Sequence, residues 1–142
     1  MHPAINPYLL YDPMPLPDFA PIFSDLLDKS VLYKFIVEGR AAGMCKLVHQ
    51  YFRNAHTIYL GGVAIHPDFT GKGYGLQMLQ EIIAYAVGKG CRRIELSTGI
   101  TNEKAIRLYE RVGFVKEGVL RNYTWFKNED RFLDEIMMSW IN

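Results

Sequence analysis

Between the apolar run His56-Thr57-Ile58-Tyr59-Leu60-Gly61-Gly62-Val63-Ala64-Ile65 and the most regular amphipathic stretch of the chain stands Phe69-Thr70-Gly71-Lys72-Gly73-Tyr74-Gly75-Leu76, with three glycines at alternate positions. An ordinary strand-to-helix turn needs one glycine or none. Three of them let backbone N–H groups come close to an anion just where a helix dipole presents its positive end, and Lys72 can add its charge. The segment therefore constrains the chain to a strand, turn and helix unit with a phosphate group as the expected visitor. The alternative is a turn whose glycines serve backbone geometry alone.

The rest of the chain is organised around that unit. From Tyr74 to Gly88 the residues Leu76, Leu79, Ile82, Ile83, Ala86 and Val87 recur at helical spacing, with Gln77, Gln80 and Glu81 off the stripe, and Gly88-Lys89-Gly90 ends the helix. Upstream, Val31 to Gly39 and Gly43 to Phe52 read as antiparallel strands separated by Gly39-Arg40. The third run is interrupted at Gly61-Gly62, which predicts a bulge or a close approach by another group. Downstream, Cys91 to Thr98 is a short strand and Asn102 is the N-cap of a second helix carrying Ala105, Leu108, Tyr109 and Val112, with Gly113 placed to stop it. A strand from Phe114 to Phe126, a turn at 127–130 and a strand from Phe132 to Trp140 complete the order. Six of the seven prolines (Pro3, Pro7, Pro13, Pro15, Pro17, Pro21) crowd the N-terminus, where they bar a regular helix or central strand. Residues 1–30 are therefore expected as an arm with one short helix over Asp18–Lys29, part of the same domain as 31–142. The fold class is mixed α/β on a largely antiparallel sheet.

Composition narrows the function classes. In 142 residues, 49% apolar and 22% charged, 16 basic side chains balance 15 acidic ones to leave +1. That is a globular unit with a core and without the charge to bind nucleic acid or an anionic membrane in bulk. No apolar run approaches the roughly 18 residues of a membrane span, and no basic-then-apolar leader opens the chain, so a cytoplasmic location is expected. Cys45 and Cys91 are far apart and in apolar surroundings. Reduced core thiols are expected there, with neither disulfide nor metal site.

Two phosphate motifs can be set aside. A P-loop needs G-x-x-x-x-G-K-[ST], and in Gly71-Lys72-Gly73 the lysine is followed by another glycine and not by Ser or Thr. A dinucleotide fingerprint counted from Gly71 puts Leu76 where its third glycine belongs, although Glu95 lies at a suitable distance downstream. Val63-Ala64-Ile65-His66-Pro67-Asp68-Phe69-Thr70-Gly71-Lys72-Gly73-Tyr74-Gly75, followed by Asn102-Glu103-Lys104-Ala105-Ile106-Arg107-Leu108-Tyr109-Glu110-Arg111-Val112-Gly113-Phe114, closely resembles the two central motifs of the GNAT N-acetyltransferase superfamily. The resemblance spans residues 31–140 and is nearest to the branch acting on amino acids, protein N-termini and polyamines. It implies a GNAT-like sheet splayed at its centre, with acetyl-CoA as acetyl donor, no metal, and a small-molecule or peptide amine as acceptor. A second copy of the chain stays open as a partner in a homodimer. It also implies that Val63 and Ile65 lend backbone groups to the pantetheine arm. Thr70, Gly71, Lys72, Gly73, Tyr74, Gly75 and Leu76 then surround the pyrophosphate, and Asn102 touches the cofactor while capping its helix. Thr70 stands where the family usually has Gln or Arg, which leaves the contact to backbone donors. Only about 30 Pro-rich residues stand where the family has a strand and two helices around the acceptor.

The chemistry agrees. Acetyl transfer from a thioester to an amine needs a neutral nucleophile, donors for the carbonyl oxygen and an acid for the leaving thiolate. Tyr109, a phenol with an ordinary pKa of about 10, is suited to the last role, or else is a core tyrosine. His56, Tyr59 and Glu95 are the candidates for a general base, and Tyr59 also for an acceptor contact. Asp134 falls by period two in the row Phe132, Asp134, Ile136, Met138, Trp140, a single carboxylate among apolar residues. Such a group either pairs with something like Arg121 or faces a polar acceptor pocket. The competing functions are a non-catalytic acyl-CoA-binding or regulatory module and a nucleotide-dependent oxidoreductase.

Overall fold

A computed structural model describes residues 11–142 of the chain. Helix α1 (Leu16–Asp28) precedes strands β1 (Leu32–Val37), β2 (Arg40–His49) and β3 (Thr57–Ile65). Helix α2 (Tyr74–Gly88) crosses to β4 (Arg93–Gly99), and α3 (Glu103–Arg111) leads to the hairpin of β5 (Val115–Phe126) and β6 (Arg131–Ile141). The six strands form one sheet in the order β1-β2-β3-β4-β6-β5, antiparallel except for β3 beside β4. This is the mixed α/β class with a largely antiparallel sheet that the hydrophobic periods predict.

Alternation sorts each strand between two faces. On β4, Ile94, Leu96 and Thr98 are buried, while Arg93, Glu95 and Ser97 face the other way. The apolar face, with Ile58, Leu60 and Met138, packs against Met78, Leu79 and Ala86 of α2 and Ile106 and Tyr109 of α3. Each large side chain so buried contributes about 1.5 to 3 kcal/mol. The free cysteines Cys45 and Cys91 are both in this core.

The sheet opens at its middle. Strands β3 and β4 pair only over Thr57–Tyr59 with Arg93–Glu95, and no ladder joins them beyond. The opening coincides with the Gly61-Gly62 interruption: Gly62 has φ +58° and the β2–β3 register shifts between Met44 and Lys46. A bulge at this point turns β3 out of line with β4.

Two expectations are corrected. The prolines do not exclude a helix before Asp18, because α1 begins at Leu16 with Pro17 in its first turn, where an N–H would have no helical acceptor anyway. Pro21 lies inside α1 and leaves one helical hydrogen bond unmade. No residue of α1 is buried, so water can serve that carbonyl. Pro3 and Pro7 of the expected arm lie outside the described residues. The second correction concerns Asp134, whose Oδ1 accepts the backbone N–H of Asn122 at 2.7 Å and not Arg121. The reason is a second irregularity, between Leu120 and Thr124 of β5, where Asn122 has φ +51°. That break takes the Asn122 N–H out of the ladder, and the opposite carboxylate receives it.

Candidate active site

The glycine turn is built to expose backbone. A short helical turn at Pro67–Phe69 buries the Phe69 ring against Tyr74, with centroids 5.7 Å apart. Thr70 donates its hydroxyl back to the Pro67 carbonyl at 2.8 Å, and Lys72 Nζ donates to the Asp68 carbonyl at 3.0 Å. Both polar side chains thus fold onto their own loop, so the Lys72 ammonium is held by a carbonyl and the mouth is left to main chain. Gly71 and Gly73 have φ of +73° and +83°, and a Cβ added at either would meet nothing within 4 Å. Gly73 is the N-cap of α2 and supplies no side-chain cap. The first helical bond of α2 runs from the Gln77 N–H to the Gly73 carbonyl. The N–H groups of Tyr74, Gly75 and Leu76 therefore have no helical acceptor. An uncapped N-terminus of a helix 15 residues long, opening on empty space, fits a phosphate. Gly75 has a further reason to be glycine: its Cβ would stand 3.1 Å from Leu108 Cδ2, so its bareness lets α2 rest on α3.

Further along β3, Val63 and Ile65 are half-buried on the stretch that has lost β4 as a partner. Their strand still pairs with β2 on its other side, Gly43 facing Ile65 and Met44 facing Ala64. Asn102 caps α3 through Oδ1, which accepts the Ala105 N–H at 3.4 Å, and its Nδ2 donates to Thr98 Oγ1 at 3.2 Å.

Tyr109 is 7% exposed, beside the Phe114 ring at 5.8 Å. Burial, and then the neighbouring Tyr59, push its phenol up to about 12. No described residue is a hydrogen-bond partner of its hydroxyl. A buried donor left unpaired costs about 1 to 3 kcal/mol, and a ligand atom offers one way to relieve that cost.

On the opposite face of the sheet, four strands meet in one polar chain. Ser97 of β4 and Thr124 of β5 both donate to Glu135 of β6, Thr124 at 2.6 Å, and Tyr59 of β3 lies 3.2 Å from Ser97 Oγ. Burial raises the Tyr59 pKa, with the Ser97 hydrogen bond pulling the other way. Of the candidates named from the sequence, the structure ties Tyr59 to Ser97 on one face of the sheet, packs Tyr109 against Phe114 on the other, and leaves Asp134 at the hairpin bulge. Glu95 is ion-paired with Arg93 at 3.1 Å. Glu135 escaped the sequence reading because its row on β6 alternates with that of Asp134, and only the fold reveals which hydroxyls stand opposite it. Among the described residues no three His, Cys, Asp or Glu side chains gather as a metal cage.

The chain belongs to the acetyltransferase (GNAT) family, whose pattern matches residues 6–114. It is 36% identical over 61 residues to an uncharacterized N-acetyltransferase of Methanocaldococcus jannaschii, covering 43% of this chain and 27% of that protein. It is 34% identical over 82 residues to N-alpha-acetyltransferase 30 of Xenopus laevis, covering 56% of this chain and 29% of that protein. The match thus spans less than a third of either relative's length. In fold it is similar to the spermidine N-acetyltransferase of Vibrio cholerae solved with CoA and spermine, at TM-score 0.80 and 22% identity over 97% of this chain and 82% of that one.

Proposed function

We propose that this chain transfers an acetyl group from acetyl-CoA directly to a primary amine, either of a small molecule or of a peptide N-terminus. The observation that carries the reading is the Tyr109 hydroxyl, buried and without a hydrogen-bond partner among the described residues, in a fold whose β3 and β4 part beyond Tyr59 and Glu95. Family membership and the names of the relatives support it, since one is an N-alpha-acetyltransferase and one structural neighbour is a spermidine N-acetyltransferase in complex with CoA and spermine.

In this reading the free N–H groups at the start of α2, with Gly71 and Gly73, hold the pyrophosphate, and the unpaired edge of β3 at Val63 and Ile65 holds the arm. The amine nitrogen forms its bond to the thioester carbon while the carbon–sulfur bond breaks. Tyr109, un-ionised at any physiological pH, donates toward the charge growing on sulfur and protonates it. The proton shed by the nitrogen returns through solvent to the phenolate, so the cycle closes with no net change in the protein. No cysteine nucleophile is required, consistent with the burial of both thiols.

The test is calorimetry with acetyl-CoA followed by thiol release against a panel of amines. Saturable binding with amine-dependent release is expected. Absence of acetyl-CoA binding overturns the reading, and binding without release from any amine leaves an acyl-CoA-binding module.

A further inference from the structure

Glu135 differs from the other carboxylates on its face of the sheet. Glu95 and Glu117 share Arg93, at 3.1 and 2.7 Å. Glu135 has no cation within salt-bridge distance among the described residues, and only hydroxyls hold it. The direction of these bonds is fixed by proton counting. Ser97 has one proton and gives it to Glu135, so Tyr59 must donate to Ser97 rather than receive from it. Thr124 likewise gives its proton to the carboxylate. Three hydroxyls from three strands are therefore all oriented to stabilise one negative charge.

The charge is not sealed in the core. Glu135, Ser97, Thr124 and Tyr59 are each half-buried, and Tyr123, next to Thr124 on β5, is 55% exposed. Two hydroxyl bonds occupy about half of the lone-pair sites of a carboxylate, which has roughly four. An oriented anion with spare acceptors, no cation among the described residues and the Tyr59 ring one hydroxyl away is complementary to an ammonium group. Ser97, which holds it, lies on β4 just past the last pair with β3 (Tyr59 with Glu95), so the anion stands at the mouth of the opening between those strands, along which the proposed thioester arm runs.

We propose that Glu135, held by Ser97 and Thr124, is the binding residue for the ammonium form of the acceptor, which makes the substrate class cationic primary alkylamines. The inference rests on the acetyltransferase reading for the purpose of the site but not for its existence. On binding, the ammonium replaces water at the free carboxylate sites, and it releases one proton to solvent to become the neutral amine that attacks.

Calorimetry of the CoA-saturated protein with butylammonium and with spermidine tests it, alongside 1-butanol as the neutral counterpart. The wild-type protein should bind both amines and discriminate against the alcohol. Glu135→Gln, whose amide can still meet both hydroxyls, should weaken amine binding by about tenfold to a hundredfold, the range of a charge-assisted contact. Glu135→Asp, which keeps the charge, should recover part of it, and the affinity of all three proteins for acetyl-CoA should agree within twofold. Equal affinity of wild type for butylammonium and 1-butanol overturns the proposal even if the variant fails to fold, as does unaltered amine binding by a folded Glu135→Gln. Loss of acetyl-CoA binding by the wild type alone would refute the acetyltransferase reading instead, and amine binding measured without CoA would still judge Glu135.

Discussion

Replacing Tyr109 with Phe should make the protein more stable and far less active. The side chain is 7% exposed and its hydroxyl has no described partner, so the folded protein carries a desolvated donor that the unfolded chain gives to water. Removing it should return about 1 to 3 kcal/mol while the ring keeps its contact with Phe114. For a chain of this size that is a rise in Tm of about 3 to 10 °C. The same residue has a signature in pH. Burial holds the folded phenol at about 12, against an ordinary value of 10.0. Below pH 10 both states keep the proton and nothing changes. Between pH 10 and 12 the unfolded state loses it while the folded state does not, so stability falls as pH rises, by about 3 kcal/mol from this group alone. Urea melts at pH 9 and pH 11.5 should therefore show the gap between Tyr109→Phe and wild type widening in favour of the variant. Tyr33, whose phenol is also raised, acts equally in both proteins. Turnover should fall by about 10²- to 10⁴-fold with little change in KM for acetyl-CoA. A variant that is less stable than wild type, or whose gap to wild type is the same at both pH values, refutes the unpaired-hydroxyl argument, and an unchanged kcat returns Tyr109 to core packing.

Gly73→Asp should weaken acetyl-CoA binding by more than about tenfold in calorimetry, since it puts a negative charge at the uncapped end of α2. The fold should stand, because the space there is open and Asp tolerates positive φ better than most residues. Glu117→Gln should flatten the acid limb of a stability profile. Arg93 first, and then Ser139, hold the Glu117 carboxyl down at about 2, so its contribution is complete above pH 4.5 and is lost as the pH falls toward 2. Melts at pH 5 and pH 2.5 should show wild type losing more than the variant. Asp134→Asn should lower the Tm slightly, by the worth of about 1 kcal/mol, as the Asn122 N–H trades a carboxylate for an amide oxygen. Its KM for amines should be unchanged, whereas a raised KM would make it part of the acceptor site.

The sequence by itself determined the elements and the turn. Period two, period 3.6, the cap at Asn102 and the glycines at 71, 73 and 75 are local signals, and local sterics and hydrogen bonding act on them before any tertiary contact forms. Motif position also singled out Tyr109, though only burial among Phe114 and its neighbours left its hydroxyl without a partner among the described residues. Tertiary structure decided what depends on register between strands distant in the chain. The insertion of β6 between β4 and β5 sets Ser97 and Thr124 on either side of Glu135. The break at Asn122 redirects Asp134 from the expected arginine to a main-chain donor. Between Leu120 and Thr124 β5 carries two residues more than β6 does between Glu135 and Leu133, and such a bulge shifts every later side chain relative to its partners. No pattern within a single strand encodes that shift, and so the carboxylate proposed for the acceptor emerged only when four strands were laid side by side.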